Sequence, residues 1–150
     1  MRALVQRVAS AQVTIDGQVH GQIGTGLLVL LGIGTGDTSD DLEWLCGKVV
    51  RLRIFPDAEG MMNLDVREVH GEILLVSQFT LHASTVKGNR PSFLQAARPT
   101  EAQPLYLRAK TLFGALLGRP VATGEFGADM QVSLVNDGPV TIMIDSRARE

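Results

Sequence analysis

Ile73-Leu74-Leu75-Val76-Ser77-Gln78-Phe79-Thr80-Leu81 is the stretch on which the reading of the fold turns. Its first four residues are apolar, include β-branched members and follow Gly71, a pattern that predicts a buried strand and not a helix. Ser77, Gln78 and Thr80 then crowd three polar side chains into four positions. Burying them without hydrogen-bond partners costs free energy, so the strand is expected to end at an open cleft.

Upstream, Val5, Val8, Val13 and Ile15 predict a long first strand, interrupted by small residues at Ala9 to Ala11. Asp16-Gly17 is a tight hairpin signal, because the primed turn needs positive φ. A second strand starts at Gln18, and Gly21, Gly24 and Gly26 predict bends or bulges before the strand Leu27 to Leu31. Thr38, with Asp41 three residues on, caps a helix. Leu42, Leu45, Cys46, Val49 and Val50 then mark its apolar face. Leu52, Ile54 and Phe55 read as a strand ending at Pro56. Asp57 to Gly60 is a turn, and Met61 to Val69 a further strand with Asp65 and Arg67 on its polar face. Downstream, Pro99 to Leu117 is a second helix, with Leu105, Ala109, Leu112, Phe113 and Leu116 facing the core and Gly118 and Pro120 as the stop. Two last strands, Gln131 to Val135 and Val140 to Ile144, flank Asn136-Asp137-Gly138-Pro139. Many strands and two helices in one domain, residues 1–150, give an α+β or barrel-like fold.

The chain has 150 residues, 45% of them hydrophobic and 20% charged, which fits a globular domain with a proper core. The single cysteine excludes an internal disulfide. No apolar run approaches the roughly 20 residues of a membrane-spanning helix, and the charged residues near the N-terminus do not suit a signal peptide. Cytoplasmic placement, without membrane contact, is the expectation. A net charge of −2 argues against a protein that coats nucleic acid. The segment His82 to Lys110 nevertheless carries Lys87, Arg90, Arg98, Arg108 and Lys110 against Glu101 alone, enough to hold a few phosphates. Within it, Lys87, Asn89, Arg90 and Phe93 form a loop suited to a nucleotide's phosphate and base.

Several chemistries are disfavoured. Gly32-Ile33-Gly34-Thr35-Gly36-Asp37 lacks the Lys-Ser/Thr of a phosphate loop, and its following acids repel phosphate. His20, His70 and His82 lie on separate segments without ligand spacing, so neither a metal nor another cofactor is expected. Thr80 needs a base to act as a nucleophile. His82, two residues on and on the same strand face, sits at an orientation poor for proton transfer. Backbone N–H groups and polar side chains at the strand end offer instead an oxyanion site, where one donor contributes about 10²–10³ in rate.

Ser77-Gln78-Phe79-Thr80-Leu81 and Asn136-Asp137-Gly138-Pro139-Val140-Thr141 together resemble the signature pair of the D-aminoacyl-tRNA deacylases, and the resemblance runs the length of the chain. It implies a homodimer with a β-barrel-like core and helices outside it, and hydrolysis of the ester of D-aminoacyl-tRNA, with Gly-tRNA mischarged on tRNA-Ala as a further substrate. By resemblance, Ser77, Gln78, Phe79 and Thr80 line the pocket, the backbone of Phe79 and Thr80 holds the oxyanion, and the 2′-hydroxyl of the terminal adenosine assists. X–Pro bonds are usually trans; the resemblance implies a Gly138-cis-Pro139 inserted into the partner subunit's pocket, where it rejects L side chains by steric exclusion, with Asn136 beside it and Arg7 fixing the segment. Met61 stands where the family pattern has a basic residue. Two rival readings are a module that grips the tRNA 3′ end without chemistry, and a small-ester hydrolase working through Thr80.

Overall fold

The computed structural model describes residues 1–149. Its centre is β1 (Arg2–Ile15), one long strand without interruption at Ala9 to Ala11. On one edge β1 pairs antiparallel with β3 (Gly26–Gly32) through Arg2–Val8 and with β2 (Gln18–Ile23) through Ala11–Ile15. On its other edge it pairs antiparallel with β8 (Gln131–Asp145). β3 runs parallel to β6 (Glu72–Ser77), and β6 runs parallel to the short β7 (Ala122–Thr123). The free edges of β7 and β2 then meet without a ladder. A Cβ on Gly21 would stand 2.7 Å from the Thr123 carbonyl oxygen, and His20 Nδ1 lies 3.0 Å from the same atom. Only a residue without a side chain lets the backbones approach so closely. The mixed sheet is thereby a nearly closed barrel with two helices outside, the α+β architecture expected.

The strand period of two explains the continuous apolar runs. Leu27, Val29 and Leu31 of β3 and Ile73 and Leu75 of β6 pack towards the helices, joined by Leu42, Leu45, Val49, Ala109 and Phe113. The alternate residues Leu28, Leu74 and Val76 turn inward, against Val8, Val13 and Ile23. Each such burial is worth about 1.5–3 kcal/mol. The parallel β3–β6 pair requires a crossover, which α1 (Ser39–Val50) supplies. Thr38 and Asp41 cap it reciprocally, side chain to backbone, and Cys46 is buried on its inner face, where burial pushes the thiol up to about 12.

Four local expectations are corrected. Leu52 and Ile54 are not in a strand; only β4 (Phe55–Pro56) and β5 (Met62–Leu64) pair there. Past Leu64 the chain turns, because the Asp65 carboxylate accepts from the backbone N–H groups of Arg67 and Glu68 and pairs with the Arg67 guanidinium. Such local bonds compete with a sheet ladder. The stripe of α2 (Pro99–Leu117) sits one position further round: Ala102, Tyr106, Ala109, Phe113 and Leu117 are buried, with Leu105, Leu112 and Leu116 at its margin. The last two expected strands are one, β8, with an excursion inside it. Among the described residues, no helix is long and apolar enough to cross a membrane.

Candidate functional site

A cleft of about 600 Å³ opens where β3 and β6 end. Its base is Leu31, Ile33 and Val76, followed by Ser77, Gln78 and Phe79. One wall is Phe93 with the start of α2, and another runs from Phe126 to Val132. Ser77 pairs with Leu31 as the last residue of β6, and the Gln78 N–H bonds the Leu31 carbonyl at 2.8 Å. The chain then leaves the sheet as a 3₁₀ turn, Phe79–His82. Thr80 and His82 therefore do not share a strand face: Thr80 is exposed, while His82 is 6% exposed. The Thr80 hydroxyl accepts a 2.5 Å bond from Gln78 Nε2. The first internal bond of the turn is made by Leu81 N–H to the Gln78 carbonyl at 3.3 Å, so Phe79 and Thr80 hold its two leading N–H groups. Phe79 stands 58% exposed at the mouth, edge-on to Phe93 with centroids 5.1 Å apart.

Beneath the turn lies a charged support that the sequence reading did not single out. Arg2 Nη1 donates to the Leu81 carbonyl at 2.9 Å and its Nε to Asp145 at 2.8 Å. The Met1 ammonium and Asp37, both fully buried, pair at 2.7 Å, with Arg147 on the other Asp37 oxygen at 2.9 Å. Burial pushes the His82 imidazole below its usual range, and the cations of Arg2 and Met1 push it further. Met1 and Arg2, Asp37, and Asp145 and Arg147 are far apart in sequence, so no local motif could have announced their meeting.

Asn136, Gly138, Pro139 and Arg7 form a second assembly. The ladder between β1 and β8 skips: Val8 pairs with Asn136 and Gln6 with Thr141, which leaves Asp137 to Val140 standing out opposite Arg7. Asn136 closes this excursion, its Oδ1 accepting from Val140 N–H at 2.9 Å and its Nδ2 donating to Val140 O at 3.2 Å. Arg7, 8% exposed, donates from Nε to the Asp137 carbonyl at 3.1 Å and from Nη1 to the Ile54 carbonyl, and pairs with the Asp137 carboxylate at 3.2 Å. Gly138 has φ +128°, and a Cβ there would meet Val140 Cγ2 at 2.8 Å and Arg7 Nη2 at 2.9 Å. The Gly138–Pro139 peptide bond is cis. None of these four residues lines the cleft of its own chain.

The remaining expected residues, Lys87, Asn89 and Arg90, lie exposed on a loop closed by a Ser84–Ser92 bridge, immediately before Phe93. Met61, where a cation was expected, is exposed at the β4–β5 hairpin. Among the described residues, no three side chains of histidine, cysteine, aspartate or glutamate gather as metal ligands would.

Comparison with known proteins bears on the family and the fold. The chain is 60% identical over 150 residues to a D-aminoacyl-tRNA deacylase of Akkermansia muciniphila and 61% identical over 150 residues to one of Opitutus terrae, covering all of each chain in both cases. Among solved structures, the c-Myc DNA unwinding element binding protein superposes with a TM-score of 0.92 at 41% identity, over 97% of this chain and 98% of that one. A probable eukaryotic D-amino acid tRNA deacylase shares the fold, with a TM-score of 0.80 at 20% identity over 95% and 97% of the two chains. A family profile described as D-Tyr-tRNA(Tyr) deacylase matches residues 4–145, nearly the whole length, and the chain belongs to that family.

Proposed function

We propose that this protein hydrolyses the ester bond of D-aminoacyl-tRNA, releasing the D-amino acid and free tRNA. The observation that carries the proposal is the cleft lined by Ser77, Gln78 and Phe79, in a chain alike over its whole length to proteins named for that activity. The cleft offers hydrogen-bond donors and no nucleophile–base pair, since Thr80 is bonded to Gln78 and His82 is buried beneath. Water is then the nucleophile. It adds to the ester carbonyl, the oxyanion takes hydrogen bonds from the Phe79 and Thr80 N–H groups, and collapse expels the ribose oxygen, which takes up a proton. The substrate's own 2′-hydroxyl assists the proton transfer. Lys87, Asn89 and Arg90 lie towards the phosphates of the tRNA end, and Phe93 towards its terminal base.

Chiral selection belongs in this reading to Gly138 and Pro139, entering the cleft of a second copy of the chain. A backbone pair filling the space of an L side chain rejects that enantiomer without contacting the D side chain. The same logic lets glycine esters through, Gly-tRNA on tRNA-Ala included. The working form is a homodimer with shared sites, in the cytoplasm, where aminoacyl-tRNA is found.

The test is hydrolysis of D-Tyr-tRNA and L-Tyr-tRNA side by side. Loss of the D ester alone is expected. Equal loss of both would remove the chiral filter, and tRNA binding without hydrolysis would replace the enzyme with a binding module. Dilution below the dimer dissociation constant is expected to abolish turnover; full activity there would sink the shared site.

A further inference from the structure

We propose that Arg2, braced by Asp145, is a positioning residue that aims the Phe79 and Thr80 N–H groups at the oxyanion, an assignment that rests on the deacylase reading above. The 3₁₀ turn Phe79–His82 is four residues long. Its Leu81 N–H reaches the Gln78 carbonyl only at 3.3 Å, and one short turn of this kind does not hold its own direction. What fixes it comes from the sheet beneath. At the entry, Gln78 N–H bonds the Leu31 carbonyl at 2.8 Å. Along the floor lies Gly32, where a Cβ would stand 2.9 Å from the Gln78 carbonyl oxygen and 3.0 Å from Leu81 Cβ. At the exit, Arg2 Nη1 donates to the Leu81 carbonyl at 2.9 Å. Entry and floor are made by backbone; the exit depends on one side chain.

Register puts Arg2 in that position. It pairs with Gly32 on one side of β1 and with Asp145 on the other. Strand alternation turns it to the face opposite Ala3 and Val5, away from the helices. Arg2 thus stands beside the bare backbone on which the turn rests. Asp145 takes its Nε at 2.8 Å, and the two side chains are only 33% and 23% exposed. Two acceptors therefore orient the planar guanidinium at once, a geometry that a single ammonium does not reproduce. In so short a turn every peptide lies within one turn of the Leu81 carbonyl, so freeing that carbonyl re-aims the leading N–H groups. Such donors act only when aimed at the point where charge develops. Loss of aim therefore falls on the transition state and leaves the bound ester almost untouched.

The experiment follows D-phenylalanyl-tRNA hydrolysis by Arg2→Met, which keeps an apolar stem and removes the donors. Beside it, affinity is measured for two unreactive mimics of the aminoacyl-adenosine end. One is the D-phenylalanyl 3′-amide, which resembles the bound ester; the other is the matching phosphonate, whose charged oxygen stands where the oxyanion forms. We expect Arg2→Met to lower kcat about tenfold with KM within about twofold. The phosphonate weakens by the same factor while the amide holds. Arg2→Lys, which keeps the cation and one donor, restores most of the rate. If Arg2→Met melts below the assay temperature, Asp145→Asn, which keeps an acceptor for the Arg147 N–H, shows the same split at about threefold. An unchanged kcat, or equal weakening of both mimics, overturns the assignment while leaving the deacylase intact. Wild-type protein that cleaves no D-aminoacyl-tRNA overturns the deacylase reading, and the assignment falls with it.

Discussion

Around Ser77–Thr80 the chain leaves space: two strands stop, a 3₁₀ turn carries the backbone away, and the residues between hold a cleft of about 600 Å³. Around Asp137–Val140 it leaves none. There the backbone is tied across its own base by Asn136, clasped from below by Arg7, and so crowded at Gly138 that a single methyl group overlaps two neighbours. One region is a socket with few internal constraints, the other a small rigid projection with no cavity of its own. Within one chain they do not touch the same volume. The difference teaches where a substitution will be felt: a projection works by shape and fails when displaced, while a socket lined mostly by neutral groups tolerates the loss of one of them.

Gly138→Ala should break the projection with the largest effect. Its φ of +128° and the close approaches of Val140 and Arg7 force the backbone to move, and a displacement near 1 Å costs about 100-fold in a preorganised site. Initial rates on D-Tyr-tRNA measure this; a wild-type rate would show that the projection takes no part. Arg7→Ala should follow, with about 2 kcal/mol lost in urea unfolding, because the Ile54 and Asp137 carbonyls lose their donor. An activity loss of roughly thirtyfold is expected as the excursion loosens. Stability lost with no change in rate would separate the clasp from catalysis. Thr80→Val is the mildest, within about threefold in kcat/KM. It removes a hydroxyl bonded to Gln78 at the surface, where a neutral bond contributes little. A loss of 100-fold there would make Thr80 a nucleophile and would move the chemistry into the socket.

How much of this was legible follows from the range of the forces involved. Thr38 with Asp41, Gly118 after Leu117, and the runs Leu27–Leu31 and Ile73–Val76 each act within a few residues, and each set its element where expected. The turn after Leu64 was missed because the carboxylate of Asp65 outcompeted the strand, a contest that periodicity does not register. The socket was partly visible, since polar residues closing an apolar strand announce an opening. Its second wall was not: Phe126 to Val132 looks like ordinary loop until β7 and β8 bring it beside the end of β6. The support beneath Leu81 was invisible for the same reason, because Arg2 meets Leu81 and Asp145 only through tertiary structure. For the projection, the residues were legible, but the skip of register opposite Arg7 needed the pairing itself.

That pairing has a consequence in time. Arg2 lies beside Asp145 and Thr14 beside Gln131, so the edge of β1 opposite β2 and β3 waits for nearly the whole chain to be synthesised. Contacts this distant in sequence are slow to form. On the ribosome, a nascent chain that has emerged only to about Val132 contains every residue that lines the socket but none of the projection. It also presents β1 as a long unpaired edge, the kind of surface that captures strands from other chains. Translation thus completes the projection after the socket, and the last strand to arrive both seals the sheet and delivers Gly138.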